Sequence, residues 1–278
     1  MKKILVTGSK GQLGVDLVNI LSNEYYVIGL DKEKLDITNL DYVVNIVKAI
    51  KPHIIINSAA YTNVDECEKN IDLSYKINGL GARNLAIASL ENNSRLVHIS
   101  TDFVFDGQKN EPYIEFDIPN PLSIYGKSKL LGEEFIKQIN PKHYILRTSW
   151  LYGENGNNFV KTLLKLGKEN KTLKIVNDQI GTPTYTKDLV NTINMIIKTD
   201  AYGTYHTSNE GECTWFEFAR KIFELANITD IEILTITTEE LNRPAKRPKY
   251  SVMKNYMLKL NFNYTLKSWD KSLKKYFS

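Results

Sequence analysis

Short apolar, β-branched runs alternate along the chain with longer stretches whose apolar residues recur at helical spacing. Residues 3–7 predict a first strand. Residues 12–23, with Leu13, Leu17, Ile20 and Leu21 on one face, predict a helix. A second strand over 26–30 ends at Asp31, and a helix over 40–50 is stopped by Pro52. A third strand (53–57), a long helix (72–91), a fourth strand (95–100), a helix (121–139) and a fifth strand (144–148) follow. The strands are apolar on both faces, as strands covered by helices on two sides must be. The pattern therefore predicts an α/β fold, a Rossmann-type doubly wound parallel sheet with right-handed crossovers.

After about Gly153 the alternation loosens. Helical patterns at 160–166, 186–197 and 215–226 and a strand at 231–236 remain, followed by a rigid basic loop, RPAKRPKYS, over 243–251. The division expected is a mainly dinucleotide-binding domain, 1–152, and a smaller, mainly substrate-binding C-terminal lobe, 153–278, with some elements returning to the sheet. No repeat or low-complexity linker separates them.

Composition narrows the class. The chain has 278 residues, 42% hydrophobic and 24% charged, enough for a large core. With 36 basic against 32 acidic residues the excess is only +4. So small an excess does not predict nucleic-acid binding, although a few placed cations suffice for an anionic substrate. Cys67 and Cys213 are far apart and form neither a zinc pattern nor a disulfide framework. The apolar run within MKKILVTGSK is too short for a secretory leader, and no run approaches a membrane span. A cytoplasmic protein is expected, with no membrane or nucleic-acid partner. The histidines, His53, His98, His143 and His206, lack metal-ligand spacing, and three of them read as structural residues of strands.

Gly8, Gly11 and Gly14 form G-x-x-G-x-x-G between the first strand and the first helix. The early glycines let backbone approach a pyrophosphate, the last lets helix and strand pack, and the helix amino end offers free N–H groups. A strand before and a helix after the motif make it a dinucleotide turn rather than a packing turn. Asp31 stands where a carboxylate would bond a ribose 2′-hydroxyl, favouring NADH. Lys10 and Lys32 nearby could instead meet a 2′-phosphate. Asp36 and Ile37 could flank the adenine.

Tyr125 and Lys129 lie four residues apart, on one face of a predicted helix. The spacing alone proves little: the chain has 16 tyrosines, and Tyr250 with Lys254 repeats it. Position separates the pairs, because Tyr125 follows the fourth strand whereas Tyr250 sits in the basic loop. A phenol titrates near pH ~10. An ammonium roughly 4 Å away would favour the phenolate by about 4 kcal/mol at an effective dielectric of about 20. Tyr125 would then exchange a proton near neutrality, and Lys129 could also hold a nicotinamide ribose. Ser100, Thr101 and Asp102 end the fourth strand at the carboxyl edge, where a hydroxyl can orient a substrate carbonyl.

Together these residues resemble the extended short-chain dehydrogenase/reductase superfamily and, within it, the dTDP-4-dehydrorhamnose reductase family. The resemblance is carried by GSKGQLG (8–14), LDIT (35–38), NSAAYTNVDECE (57–68), STDFVFDG (100–107), YGKSKLLGE (125–133), RTSWLYG (147–153), NNF (157–159), NDQIGTPT (177–184) and RPAKRPKYS (243–251). It implies a catalytic trio of Thr101, Tyr125 and Lys129. It implies a cofactor site of Gly8, Gly11, Gln12, Leu13, Gly14, Asp31, Asp36, Ile37, Ala59, Ala60, Tyr61 and Thr62, together with Tyr125 and Lys129. Thr62, Val64, Thr101, Asp102 and Trp150 match its sugar pocket, and Asn158, Phe159 and Arg247 the nucleotide end. Arg247 is the choice for the diphosphate, since a guanidinium pairs well with phosphate; a plain salt bridge is its alternative.

The activity implied is reduction of the C4 ketone of dTDP-4-dehydro-β-L-rhamnose by NADPH, with NADH possible. The partner is a dTDP-4-keto-6-deoxy sugar, and the chain is a monomer or homodimer. Phe103 stands where related dehydratases carry Glu, which removes the elimination reading. Some family members link dimers through magnesium; Asp16 stands at one such carboxylate position, but no further ligands are assignable, so no metal is expected. Two rivals remain: a related reductase giving the 6-deoxy-talose epimer, and a non-catalytic subunit like the regulatory partner of methionine adenosyltransferase.

Overall fold

The computed structural model describes all 278 residues. Its first half runs β1 (Lys3–Thr7), α1 (Gln12–Leu21), β2 (Tyr26–Leu30), α2 (Leu40–Ile50), β3 (Ile54–Asn57), α3 (Val64–Lys69) and α4 (Ile71–Ser74). A π-helical turn over Tyr75–Leu80 leads into α5 (Gly81–Glu91) and β4 (Arg95–Thr101). A 3₁₀ turn over Asp102–Val104, α6 (Ile124–Ile139) and β5 (His143–Thr148) complete it. The second half contains β6 (Leu151–Tyr152), α7 (Phe159–Glu169), β7 (Thr172–Val176), β8 (Ile180–Gly181), β9 (Thr184–Tyr185) and α8 (Thr186–Ile196). Then come β10 (Gly203–His206), β11 (Cys213–Thr214), α9 (Trp215–Leu225), β12 (Glu232–Ile236), α10 (Thr238–Leu241), α11 (Tyr256–Phe262) and α12 (Trp269–Phe277).

Six parallel strands lie in the order β10-β5-β4-β3-β1-β2. The order reverses between β1 and β3, and the carboxyl ends of those strands open the crevice where such sheets bind ligands. Strand periodicity explains the two buried faces. Ile4, Val6, Ile54 and Ile56 point into a core with Leu17, Leu189 and Ile193 of α1 and α8. Leu5, Ile55 and Leu96 point the other way, against Val43, Val47, Leu85 and Ile136 of α2, α5 and α6. A separate core of Tyr152, Val160, Leu163, Phe218, Ile222 and Leu273 holds the C-terminal lobe. That lobe also supplies β10, which pairs with β5.

Local chemistry sets the boundaries. Asn39 caps α2 by accepting from Tyr42 N (3.0 Å), and Lys51 closes it in the left-handed region ahead of Pro52. Thr214 and Glu217 form a reciprocal capping box on α9. The helix expected over 72–91 is instead two helices joined by the π turn. There Asn78 turns inward to bond the backbone of Tyr61, and Gly81 lets Ile37 approach so closely that a Cβ would sit 2.6 Å from it. The helix expected from Pro121 starts at Ile124, because the Ser123 hydroxyl accepts from Gly126 N and caps it there.

Candidate active site

Gly8 takes φ +66°, and a Cβ there would lie 2.8 Å from the backbone of Ala59. A Cβ on Gly14 would meet the Gly8 carbonyl oxygen at 2.1 Å. Gly11 N donates to Gly8 O (2.9 Å), and no side chain caps the amino end of α1. The turn therefore presents backbone N–H groups and a positive helix end to the crevice. It opens on a cavity of about 560 Å³ lined by Gly8, Lys10, Gly11, Asp31, Asp36, Ile37, Ala59, Ala60, Tyr61 and Lys76 among others. Lys10 forms an ion pair with Asp31 and reaches Glu33 at 3.3 Å. That contact holds the Asp31 carboxyl below its ordinary range. Asp36 Oδ1 accepts from Thr38 N and Oγ1 (3.0 and 2.8 Å), which fixes the loop after β2.

A second cavity, about 420 Å³, shares Gly11, Ser58 and Ala60 with the first. Its lining also includes Gln12, Leu13, Thr62, Thr101, Asp102, Tyr125, Lys129 and Trp150. Thr101 ends β4, and its Oγ1 donates to Asp102 Oδ1 (3.0 Å) while accepting from Phe103 N (3.2 Å). Burial raises the Asp102 carboxyl to about 6, although the neighbouring Ser251 and Thr101 hydroxyls oppose the rise. Tyr125 packs edge-on against Phe103, ring centroids 5.6 Å apart. Its ring opens partly to the cavity, yet its phenol is crowded by protein. Burial pushes the phenol up, and only the Thr101 hydroxyl beside it pulls the other way.

Lys129 is 2% exposed. Its Nζ donates to the Ile99 carbonyl (2.6 Å) and lies 3.2 Å from His98 Nε2. Burial lowers it to about 8, with Glu133 opposing. Burial dominates the Tyr125 phenol, and the Lys129 head group is turned to β4. The pair lines one cavity, as the spacing implies, while the Lys129 head group bonds β4.

Trp150 forms the wall between this cavity and a third of about 390 Å³. It takes φ +45°, strained for so bulky a residue, and stacks on Trp215 with ring centroids 3.6 Å apart. Phe159, Gln179, Arg243 and Arg247 line the third cavity. Arg247 Nη2 donates to Asp65 Oδ2 (3.0 Å), and Asp65 Oδ1 accepts from Ala245 N (3.2 Å). Arg247 is thus at once salt-bridged and at the pocket.

The family described as RmlD substrate binding domain matches residues 1–278. The chain belongs to this family. It is 43% identical to the spore coat polysaccharide biosynthesis protein SpsK of Bacillus subtilis (strain 168), over 99% of this chain and 97% of that one. It is 42% identical to the dTDP-4-dehydrorhamnose reductase of Aggregatibacter actinomycetemcomitans, over 99% and 98%. It resembles the crystal structure of dTDP-4-dehydrorhamnose reductase from Bacillus anthracis str. Ames in complex with NADP, at 51% identity and TM-score 0.98 over 100% and 99% of the chains.

Within this family frame, two expected contacts sit differently from the rest. Asn158 caps α7 by accepting from Lys161 N and spends its amide donor on Gln12 Oε1 and Gly153 O (both 2.8 Å). Val64 opens α3 and lines none of the three cavities. Asp16 is buried and bound by Asn155 Nδ2 (2.9 Å), so it ties α1 to the second lobe. The sequence assigns no role to Asn78, Asp65 or Trp215, and reads His98 only with the structural histidines. Asn78 accepts from Tyr61 N (2.8 Å) and donates to Ser128 Oγ (3.0 Å), joining the cofactor loop to the helix of Tyr125. Nothing in the spacing marks it, because the π turn that aims it follows from packing.

Proposed function

We propose that the protein reduces the C4 ketone of dTDP-4-dehydro-β-L-rhamnose to dTDP-β-L-rhamnose, the last step of dTDP-L-rhamnose formation, using NADPH and also accepting NADH. The observation that carries this is the cavity where Thr101, Tyr125 and Lys129 meet, joined on one side to the glycine turn and on the other, past Trp150, to Arg247.

The residues fit a dinucleotide. A Cβ at Gly8 or Gly14 would collide with backbone, the end of α1 is uncapped, and Lys10, Lys32 and Lys76 offer cations beside Asp31 where a 2′-phosphate would sit. A bound nicotinamide supplies the hydride. Tyr125, raised by burial, stands protonated at neutral pH and donates its phenolic proton to the oxygen developing at C4. Thr101 has one hydroxyl proton, which here goes to Asp102; orienting the ketone requires that bond to be exchanged for one to the substrate. Lys129 in its ammonium form stabilises the phenolate left on Tyr125. Phe103 places an apolar edge where elimination would need a second acid–base group. Arg247 and Arg243 face the charged nucleotide end, and Trp150 and Trp215 wall the sugar and base.

The reading includes a division of labour, with residues 1–152 holding the cofactor and 153–278 the sugar nucleotide. It also includes a cytoplasmic location and a monomer or homodimer. No helix is long and apolar enough to cross a membrane. The test follows cofactor absorbance with the 4-keto sugar nucleotide. Tyr125→Phe is expected to lower kcat by roughly 10²–10⁴-fold while KM changes little. Equal rates for the two proteins would remove Tyr125 from the mechanism.

A further inference from the structure

A chain of buried hydrogen bonds runs across the sheet from Thr7 to Lys129. Thr7 Oγ1 donates to Asn57 Oδ1 (2.7 Å), and Ala59 N donates to the same oxygen (3.2 Å). Asn57 Nδ2 lies 3.0 Å from His98 Nδ1, and His98 Nε2 lies 3.2 Å from Lys129 Nζ. Thr7, Asn57, His98 and Lys129 are each at most 2% exposed, so no bulk water can repair a mismatch along the chain.

The chain has a direction. The Ala59 amide can only donate, so the atom of Asn57 that faces it is the oxygen. The Asn57 NH₂ then faces His98 and can only donate, so Nδ1 must be the bare, accepting nitrogen. The single proton of a neutral imidazole is left on Nε2, aimed at Lys129 Nζ. A neutral amine meets it well: its lone pair accepts from Nε2–H while it donates to the Ile99 carbonyl. An ammonium in the same place sets N–H against N–H.

We propose that His98 is a positioning residue for Lys129: locked by Asn57 as the Nε2–H tautomer, it accommodates the amine against the Ile99 carbonyl and disfavours the ammonium there, so that charging Lys129 drives its head group towards the cofactor ribose and Tyr125. The proposal rests on the reductase reading for its consequence but not for its geometry. It explains why the Lys129 head group lies against the Ile99 carbonyl and His98. It also makes the charge on Lys129 depend on where its head group lies.

The other groups facing Lys129 do not supply this switch. On its own helix are Tyr125, and Glu133, which is neutralised by Arg147 (2.7 Å). Asp102 lies past the end of β4, raised by burial, and Cys67 of α3 lies by Tyr125 with its thiol raised by burial. His98 is itself held neutral, by burial first and by Lys129 second.

The experiment has two arms. Long-range ¹H–¹⁵N correlation of imidazole-labelled, ligand-free wild type reads the tautomer directly. His98 is assigned by its contacts to the Lys129 methylenes and by loss of its peaks in His98→Gln or His98→Asn. A protonated Nε2 and bare Nδ1 are expected; a protonated Nδ1 overturns the proposal whatever the enzyme's substrate proves to be. In the second arm, His98→Gln places a side chain that can turn its carbonyl to Nζ and accept from an ammonium. The alkaline limb of kcat/KM, expected near the value of about 8 to which burial brings Lys129, should move up by about one pH unit. A fall in rate with the limb unmoved would mean that His98 only packs. Loss of all turnover in wild type, with the tautomer as expected, would fault the substrate assignment and leave the lock standing.

Discussion

Glu133 is the fixed point against which both halves of the catalytic face are set, and its removal has a calculable effect. The side chain is fully buried on α6. Its carboxylate accepts from Ser100 Oγ (2.6 Å), Arg147 Nε (3.0 Å) and Arg147 Nη2 (2.7 Å), so it ties the strand that ends in Thr101 to the helix that carries Tyr125 and Lys129. Arg147 is 1% exposed, its Nη1 has no hydrogen-bond partner, its guanidinium carbon lies 5.2 Å from the centre of the Phe105 ring, and Glu115 is the other carboxylate that feels its charge. Glu133→Ala therefore leaves a buried cation without the carboxylate that is hydrogen-bonded to it. Breaking such a pair costs about 3–5 kcal/mol. With a urea m-value of about 3 kcal/mol/M, the unfolding midpoint should fall by about 1–1.7 M at unchanged m. Glu133→Ala with Arg147→Met removes both charges and should recover much of that loss, because an apolar pair of similar volume is tolerated where a lone charge is not.

The same pair has a pH signature. Burial works to raise the Glu133 carboxyl, but the charge and hydrogen bonds of Arg147 outweigh it and hold the group below its ordinary range. A depressed folded-state value contributes stability above the unfolded value of about 4.3, and loses it as pH falls towards the lower folded value. The gap in stability between wild type and Glu133→Gln should thus be full at pH 7 and shrink below about pH 4.3. Equal destabilisation of the single and double variants, or a gap that stays constant down to pH 3, would refute the ion pair as the source.

Arg247→Ala should raise KM for the sugar nucleotide by roughly 10–100-fold with a smaller change in kcat, the effect of losing charge-assisted hydrogen bonds worth about 1.5–3 kcal/mol. Steady-state kinetics at fixed cofactor measures it, and an unchanged KM would reduce Arg247 to its salt bridge with Asp65. Lys10→Ala should weaken NADPH several-fold more than NADH, because Lys10 is the cation paired with Asp31 at the ribose end of the cofactor cavity. Fluorescence titration with both dinucleotides reads this, and equal losses for the two would place the 2′-phosphate elsewhere.

The sheet was legible because its strands are apolar on both faces and its helices are not, and the dinucleotide turn because only glycine fits at Gly8 and Gly14. The elements of the C-terminal lobe were less legible. Three of its strands, β8, β9 and β11, are two residues long, too short to show a period. The break at Tyr75–Leu80 was invisible for a different reason: the sequence there keeps helical spacing, and the π turn, which aims Asn78 at Tyr61, follows from packing.

The catalytic face shows where spacing stops being informative. Four residues of helix put Tyr125 and Lys129 on one side, and that much is geometry. It does not say where a flexible four-carbon stem sends its nitrogen. That direction is set by β4, whose sequence RLVHIST carries His98 and Ser100 two residues apart and therefore on one face of the strand. His98 meets Lys129 and Ser100 meets Glu133, so the two polar residues of that face each bond α6. Polar residues at alternate positions of an otherwise apolar buried strand are the informative exception in such a sequence, because each must find a partner. Read as merely structural, His98 yields only a satisfied core residue. Read with its partners, it indicates which charge state the lysine can hold when turned away from the substrate, and so ties the protonation of the catalytic face to its conformation.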